Sequence, residues 1–235
     1  MGISLLRALY KTFMPDSVGV SGINSEVRKL YEIMGFRTGK MAHYYIANPK
    51  CREFHIAENM EVKPEFETDN SCFREITDVA HITDLPLGYC PHKSKEYIVN
   101  RYYKHLFYKY LFWGACNNEK LAAVFVMRLQ KTKESRCLRI VDIIGNYREV
   151  CMKRKGFLSI IDLFNAEYMD CLNFGIAENI FFDWGFTKKE GNTVIPNFFE
   201  PFLKENADIQ FAYKTNCPEY VFFKGDGDQD RPNIL

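Results

Sequence analysis

Asp142 sits inside the apolar stretch IVDIIG, residues 140–145. A carboxylate held there loses water, which raises its pKa and suits it to act as a base. The same residue is also placed to pair with Arg139 or to accept from a backbone amide. Lys153, Arg154 and Lys155 form the strongest local basic cluster, directly before Gly156 and a helix start. Cations and helix-start amides together can hold a phosphate, and the other reading is a solvated loop. Toward the C-terminus Asp226, Asp228 and Asp230 alternate, followed by Arg231. An EF-hand loop needs glycine at its sixth position, where Arg231 stands, so that calcium motif is excluded. If the chain bends back over the strand ends, these aspartates would bond backbone amides or meet a hydroxyl- or amine-bearing acceptor. Arg231 would then pair locally, and Glu200 would be the companion carboxylate. In open solvent the same segment frays.

Other chemistries lack their residues. The five histidines form no HExxH, no GxSxG occurs, and no two cysteines are closer than Cys137 and Cys151. A metal site, a hydrolase elbow and a CxxC centre are therefore unsupported. Several of the eight cysteines lie in apolar runs and read as buried free thiols, which points to a reducing, cytoplasmic setting. Lys+Arg is 31 against Asp+Glu 30, a net charge of +1. A general nucleic-acid binder carries a clear basic excess, so nucleic acid is not an expected partner. The longest plain apolar run, Leu121 to Met127, falls far short of the roughly 20 residues of a membrane span. The N-terminus lacks the basic start of a signal peptide, and Leu6 breaks a myristoylation pattern.

The elements that must position these groups can be read coarsely. Residues 2–13 have helical periodicity, and Met14-Pro15-Asp16-Ser17 ends the helix. A short strand at 18–21 and a helix from Glu26 to Met34, capped at Asn24-Ser25, come next. Strands are expected within 36–47. Residues 49–69 read as a linker or extended arm. The spacing then predicts a strand within 73–82, a Ser94-capped helix to Phe107, and strands at 108–115, 121–130 and 138–144. Helices follow at 156–168 and 175–184, with strands near 194–199, 209–214 and 219–224. The order helix, short segment, helix, then LYEIMGF at 30–36 or IFFDWGF at 180–186, occurs twice and suggests an internal repeat.

Gly2-Ile3-Ser4-Leu5-Leu6, the strand after it, Asn24 and LYEIMGF resemble the end of a GCN5-related N-acetyltransferase (GNAT) domain. In that superfamily a glycine-bearing loop leads into a helix and cradles the acetyl-CoA pyrophosphate, as helix-start amides favour. The next strand parts from its neighbour to admit the pantetheine arm. A helix then carries a tyrosine four residues before a Gly-Phe pair. By this resemblance Gly2 falls on the last loop glycine, Asn24 on a cofactor contact, and Tyr31 on the acid that protonates the leaving thiolate. Asn24 also reads as a plain helix cap, and Tyr31 as a helix-face residue packed on the sheet.

Residues 70–235 resemble a whole, divergent domain of the same superfamily. Lys153-x-x-Gly156 partly matches the phosphate loop, and Phe181 stands where the tyrosine belongs. The tail, IPNFFEPF and KGDGDQDRPN, is similar to tandem GNAT-like proteins of bacterial surface-polysaccharide gene clusters. The resemblance implies a mixed-sheet α/β chain. Residues 1–48 would be the C-terminal fragment of one domain, 49–69 a linker, and 70–235 a second domain. It implies acetyl-CoA or another acyl-CoA as co-substrate, with no metal. The activity would be N- or O-acyl transfer to a small polar acceptor such as a sugar or sugar nucleotide. The alternative is a catalytically inactive binding or assembly module. The exposed sheet edge and helix face of the fragment suggest docking on the second unit or on another copy of the chain.

Overall fold

The computed structural model describes residues 2–64, 72–83, 85, 88–117 and 120–227. In chain order the elements are α1 (Gly2–Phe13), β1 (Ser17–Ser21), α2 (Ser25–Ile33), β2 (Arg37–Lys40) and β3 (Ala42–Ala47). After an irregular stretch come β4 (Cys72–Glu75), α3 (Ala80–Thr83) and α4 (Lys95–Ile98), which runs into a π-helical turn at Val99–Tyr103. Then follow β5 (Leu111–Asn117), β6 (Lys120–Lys131), β7 (Arg136–Gly145), α5 (Arg154–Leu163), β8 (Tyr168–Phe174) and α6 (Glu178–Asp183). The chain continues through β9 (Thr187–Lys188), β10 (Phe198–Phe199), β11 (Phe202–Leu203), β12 (Gln210–Thr215) and β13 (Phe222–Phe223), and into a 3-10 turn at Lys224–Asp226.

The class is α/β with a mixed sheet. Its main sheet has eight strands in the order β4-β5-β6-β7-β8-β3-β9, with β13 paired to β8. Only β7 and β8 run parallel; the other pairs are antiparallel. One face packs under α5 and α6 through Phe125, Phe157, Ile161, Phe181 and Trp184. The other packs under α3 and α4 through Ile82, Ile98, Tyr102, Val124 and Val141. Residues 49–64 hold no helix or strand, yet Ile56 and Ala57 are fully buried beside Tyr45 and Ile195. Glu167 fixes them by accepting from the His55 and Ile56 amides at 2.8 and 3.0 Å.

A second, three-stranded sheet has the order β1-β12-β2. Its pairing with the main sheet is reciprocal. β3, from the N-terminal part, lies between β8 and β9, while β12, from the C-terminal part, lies between β1 and β2. The two segments that the sequence suggests as a repeat share one local feature. In both copies the Gly-Phe pair closes its helix in the same way. Gly35 and Gly185 take φ of 80° and 87°. The Phe36 and Phe186 amides donate to the Tyr31 and Phe181 carbonyls at 3.0 and 2.9 Å. Both phenylalanines are buried.

Several boundaries differ from the sequence expectation. The helix expected over 156–168 ends at Leu163, because Asn165 turns left-handed (φ 49°) and the Ala166 amide bonds back to Ile161. The residues beyond it become strand β8. Ser94 does cap a helix, its hydroxyl accepting from the Tyr97 amide at 3.1 Å, but only four residues are α-helical before the π turn. The strand expected at 219–224 narrows to Phe222–Phe223. Cys90 and Cys217, which lie outside those apolar runs, form a disulfide across 127 positions. Cys51, Cys116, Cys137, Cys151 and Cys171 are free.

Candidate functional site

β7 and β8 pair over only three residues, Leu138↔Met169, Arg139↔Asp170 and Ile140↔Cys171. Beyond that point they part. The cause lies on the other side of β7, where a bulge leaves Val141 unopposed: Met127 faces Ile140, but Val126 faces Asp142. A bulge sharpens the local twist and re-aims the strand.

The wedge between β7 and β8 is filled by the chain itself. Phe222 and Phe223 pair with Phe174 and Asn173 of β8. Gly225 passes so close to β7 that a Cβ on it would lie 2.6 Å from the Val141 carbonyl oxygen and 2.5 Å from Oη of Tyr102. Arg101 holds the Gly225 and Gly227 carbonyls at 2.8 and 2.6 Å. The Cys90 amide donates to Glu219 O at 3.0 Å, and the Val221 amide to Cys90 O at 2.9 Å. Gly225→Ala is therefore expected to overpack this junction and destabilise the protein by about 1–3 kcal/mol. An unchanged urea midpoint would show that the segment does not sit against β7.

Two buried charge clusters flank this segment. In the first, the Lys93 ammonium lies between Asp142 and Asp226, 3.0 Å from the latter. Asp142 also accepts from the Tyr102 hydroxyl at 2.7 Å and the Ile143 amide at 2.8 Å. Burial pushes the Asp142 carboxyl up to about 6, against the pull of Lys93. Burial opposes the Lys93 charge, but the two carboxylates hold its pKa well above the ordinary value. In the second cluster Arg139 grips Asp170 through Nε at 2.9 Å and Nη2 at 2.6 Å, and His43 Nε2 meets Asp170 at 2.9 Å. The 3-10 turn joins the clusters. Asp226 enters the first, while Lys224 bonds Asn197 Oδ1 at 2.6 Å, and Arg139 donates to that residue's carbonyl at 3.1 Å.

Of the residues singled out in the sequence, Asp142 and Asp226 are brought together through Lys93, whereas the other described ones lie elsewhere. Asp142 accepts from the Ile143 amide, one of its two expected partners, and pairs with Lys93; Arg139, the other, belongs to Asp170. Asp226 turns inward and is satisfied by Lys93 and the Phe223 amide at 2.9 Å. Glu200 lies on the β10–β11 turn and lines a separate cleft with Tyr108 and Arg128. Asp228, Asp230 and Arg231 lie outside the described residues. Tyr31 packs edge-to-face on Phe36, with ring centroids 5.2 Å apart. Asn24 caps α2 by accepting from the Val27 amide at 3.0 Å. Gly2 is the first residue of α1.

The loop before α5 does not offer a phosphate cradle in this arrangement. The Met152 methyl occupies the space over Gly156 that a side chain would fill. Arg154 is buried and donates to the carbonyls of Gly185, Ala47 and Lys63 at 3.0, 3.1 and 3.2 Å. Lys153 reaches Asp183 O at 3.3 Å, and Lys155 is exposed. With the β7–β8 wedge also filled, these residues do not fit a bound acyl-CoA as they stand. Among the described residues, no His/Cys/Asp/Glu group could hold a metal ion. Among the described residues, no helix is long and apolar enough to cross a membrane.

Lys93, His43 and Asp170 escaped the sequence reading. Lys93 follows a Cys-Pro-His stretch that reads as loop, and Asp170 lies just past a stretch that reads as helix. A usable signal was present: Gly22-Ile23 and Gly175-Ile176 occupy matching places after β1 and β8. Aligning them places a strand at 168–174.

No family model matches the sequence, and no curated protein matches it. Solved structures do align with the fold at low identity. A functionally unknown conserved protein from Staphylococcus epidermidis ATCC 12228 aligns with TM-score 0.48 and 8% identity, over 92% of this chain and 79% of that one. A GCN5-related N-acetyltransferase from Anabaena variabilis ATCC 29413 gives TM-score 0.48 and 9% identity, over 90% of this chain and 48% of that one. A GCN5-related N-acetyltransferase from Sphaerobacter thermophilus gives 0.43 and 9%, over 92% and 67%.

Proposed function

We propose that this chain is built from GNAT-type units and acts, in the arrangement described, as a binding or assembly module without acyl transfer. The observation that carries this reading is the filled wedge between β7 and β8. In the superfamily that the sequence resembles, the same wedge admits the pantetheine arm. Here Phe222, Phe223 and Gly225 occupy it. Phe181, which has no proton to give, stacks on Tyr44 at 4.1 Å in the place of the acid. The parted parallel strands, the helix that follows β7 and the twice-repeated Gly-Phe closure support the GNAT-type reading. The same repeat supports a division into an N-terminal fragment, residues 1–48, and a larger unit, residues 70–235.

A second reading is favoured by one specific observation. Asp142 lies at the parting point, its carboxyl raised toward neutrality by burial, with the Tyr102 hydroxyl beside it. An acyl-CoA-dependent acyltransferase with a sugar or sugar-nucleotide acceptor would use such a base once the wedge is open. Calorimetric titration of the full chain with CoA and acetyl-CoA separates the two. The module reading expects no saturable heat. Binding at one site per chain, weakened in a Lys153→Ala/Lys155→Ala variant and at high salt, would overturn it in favour of the acyltransferase.

A further inference from the structure

Away from the wedge, a cleft of about 290 Å³ opens where the two sheets meet. His43 and Leu172 of the main sheet lie on it, with Lys40 from the end of β2, Lys188 from the end of β9, Lys189 just after it, and Asp208 two residues before β12. Its lining thus carries three ammonium groups against one carboxylate.

The three lysines differ in their partners. Lys40 is matched by Asp208 at 2.5 Å, and Lys188 by Glu178 at 2.5 Å. Lys189 bonds the neutral side chain of Asn206, at 2.8 Å to Oδ1. It forms no ion pair among the described residues. Burial lowers its pKa against the pull of Asp208 and Asp170, neither of which forms an ion pair with it as a counter-charge. An anion in the cleft would supply that charge.

His43 is held in one orientation. Asp170 is fully buried and, gripped by Arg139, stays ionised, so it can only accept a hydrogen bond. His43 Nε2, 2.9 Å from Asp170 Oδ2, therefore carries the ring proton. Burial, outweighing Asp170, keeps the imidazole neutral. Nδ1 is then an acceptor, fixed in place by the buried Arg139–Asp170 pair.

We propose that this cleft is a binding site for a small hydroxylated anion. Lys189 would receive the phosphate or carboxylate group, and His43 Nδ1 would accept a hydrogen bond from a hydroxyl of the same molecule. The arrangement selects for both groups at once. An anion without a hydroxyl leaves His43 unused, and a neutral polyol leaves Lys189 unmatched. None of these residues lies in the β7–β8 wedge, so the proposal holds under either reading of that wedge.

The test uses the full chain and follows the His43 ring resonances by NMR. The probes are glycerol 3-phosphate, sulfate and glycerol. Glycerol 3-phosphate should shift the His43 signals saturably, with sulfate weaker and glycerol without effect. Lys189→Gln should weaken glycerol 3-phosphate binding about tenfold or more, whereas Lys188→Gln, whose ammonium Glu178 already neutralises, should change it less than twofold. Lys189→Arg keeps the charge and should keep most of the binding, which separates loss of the anchor from loss of the fold. The proposal is overturned if glycerol 3-phosphate leaves the His43 signals unmoved. It is also overturned if sulfate binds as tightly, or if Lys189→Gln and Lys188→Gln behave alike.

Discussion

Lys93→Met is expected to destabilise the protein by about 3–5 kcal/mol at pH 8, and by clearly less at pH 5. The ammonium is buried between two carboxylates, Asp142 and Asp226, and methionine fills a similar volume without the charge. The variant leaves two acids buried close together with nothing to balance them. The pH dependence follows from Asp142. Its folded pKa, raised to about 6 chiefly by burial, exceeds the ordinary carboxyl value. A raised acid contributes its stability below the unfolded pKa and loses it as pH rises through the folded one. Removing Lys93 moves the folded value higher still, so the penalty is largest above pH 6 and shrinks as the pair takes up a proton. Asp226→Asn should be far milder, because Lys93 and Asp142 remain as a balanced pair. Urea denaturation followed through Trp184 fluorescence at the two pH values checks this. A penalty equal at both, or an Asp226→Asn penalty matching that of Lys93→Met, would refute the account.

Loss of the Cys90–Cys217 disulfide is the other large effect. The bond closes a loop of 127 positions, and the chain-entropy relation assigns such a closure about 5 kcal/mol. Cys90→Ser/Cys217→Ser should therefore lower the urea midpoint markedly, and dithiothreitol should do the same to the unmodified chain. The double variant itself should not respond to dithiothreitol. Hydrogen exchange gives the local readout. The Val221 amide, bonded to Cys90 O, should lose protection before the centre of β6 does. A midpoint indifferent to reductant would mean that the two thiols are unpaired in solution.

Elements with local signals were legible in the sequence. α1 and α2 announce themselves by apolar spacing and by Pro15 and Asn24 at their ends, and β5 to β7 by long apolar runs. β8 was hidden because it is buried on both faces yet carries Asp170 and Asn173, which interrupt the apolar run that marks a buried strand. Asp170 is tolerated there only because Arg139, thirty-one positions earlier, and His43, much earlier still, meet it in three dimensions. Asp142 was found because a lone acid in IVDIIG is conspicuous. Of the two partners it offered, the backbone amide is found at Ile143, whereas Arg139 is taken by Asp170 directly across β8 and Lys93, from a distant loop, gave no local signal. The filling of the wedge has no sequence signature. A Phe-Phe followed by Lys-Gly-Asp reads as a strand and a turn, and only the tertiary path brings it between β7 and β8.

The reciprocal placing of β3 and β12 has a consequence for how the chain is born. β3 has no neighbours until β8 and β9 exist, more than a hundred residues later, and β1 and β2 cannot join through β12 until residue 215 has been made. On the ribosome residues 17–47 therefore wait, as unpaired strand edges, for residues 168–215 to emerge. Such long-range pairings make folding slow and leave those edges open to wrong partners meanwhile. They also bind residues 17–47 and 168–215 into one cooperative event, so that neither sheet can close before its late strands have been made.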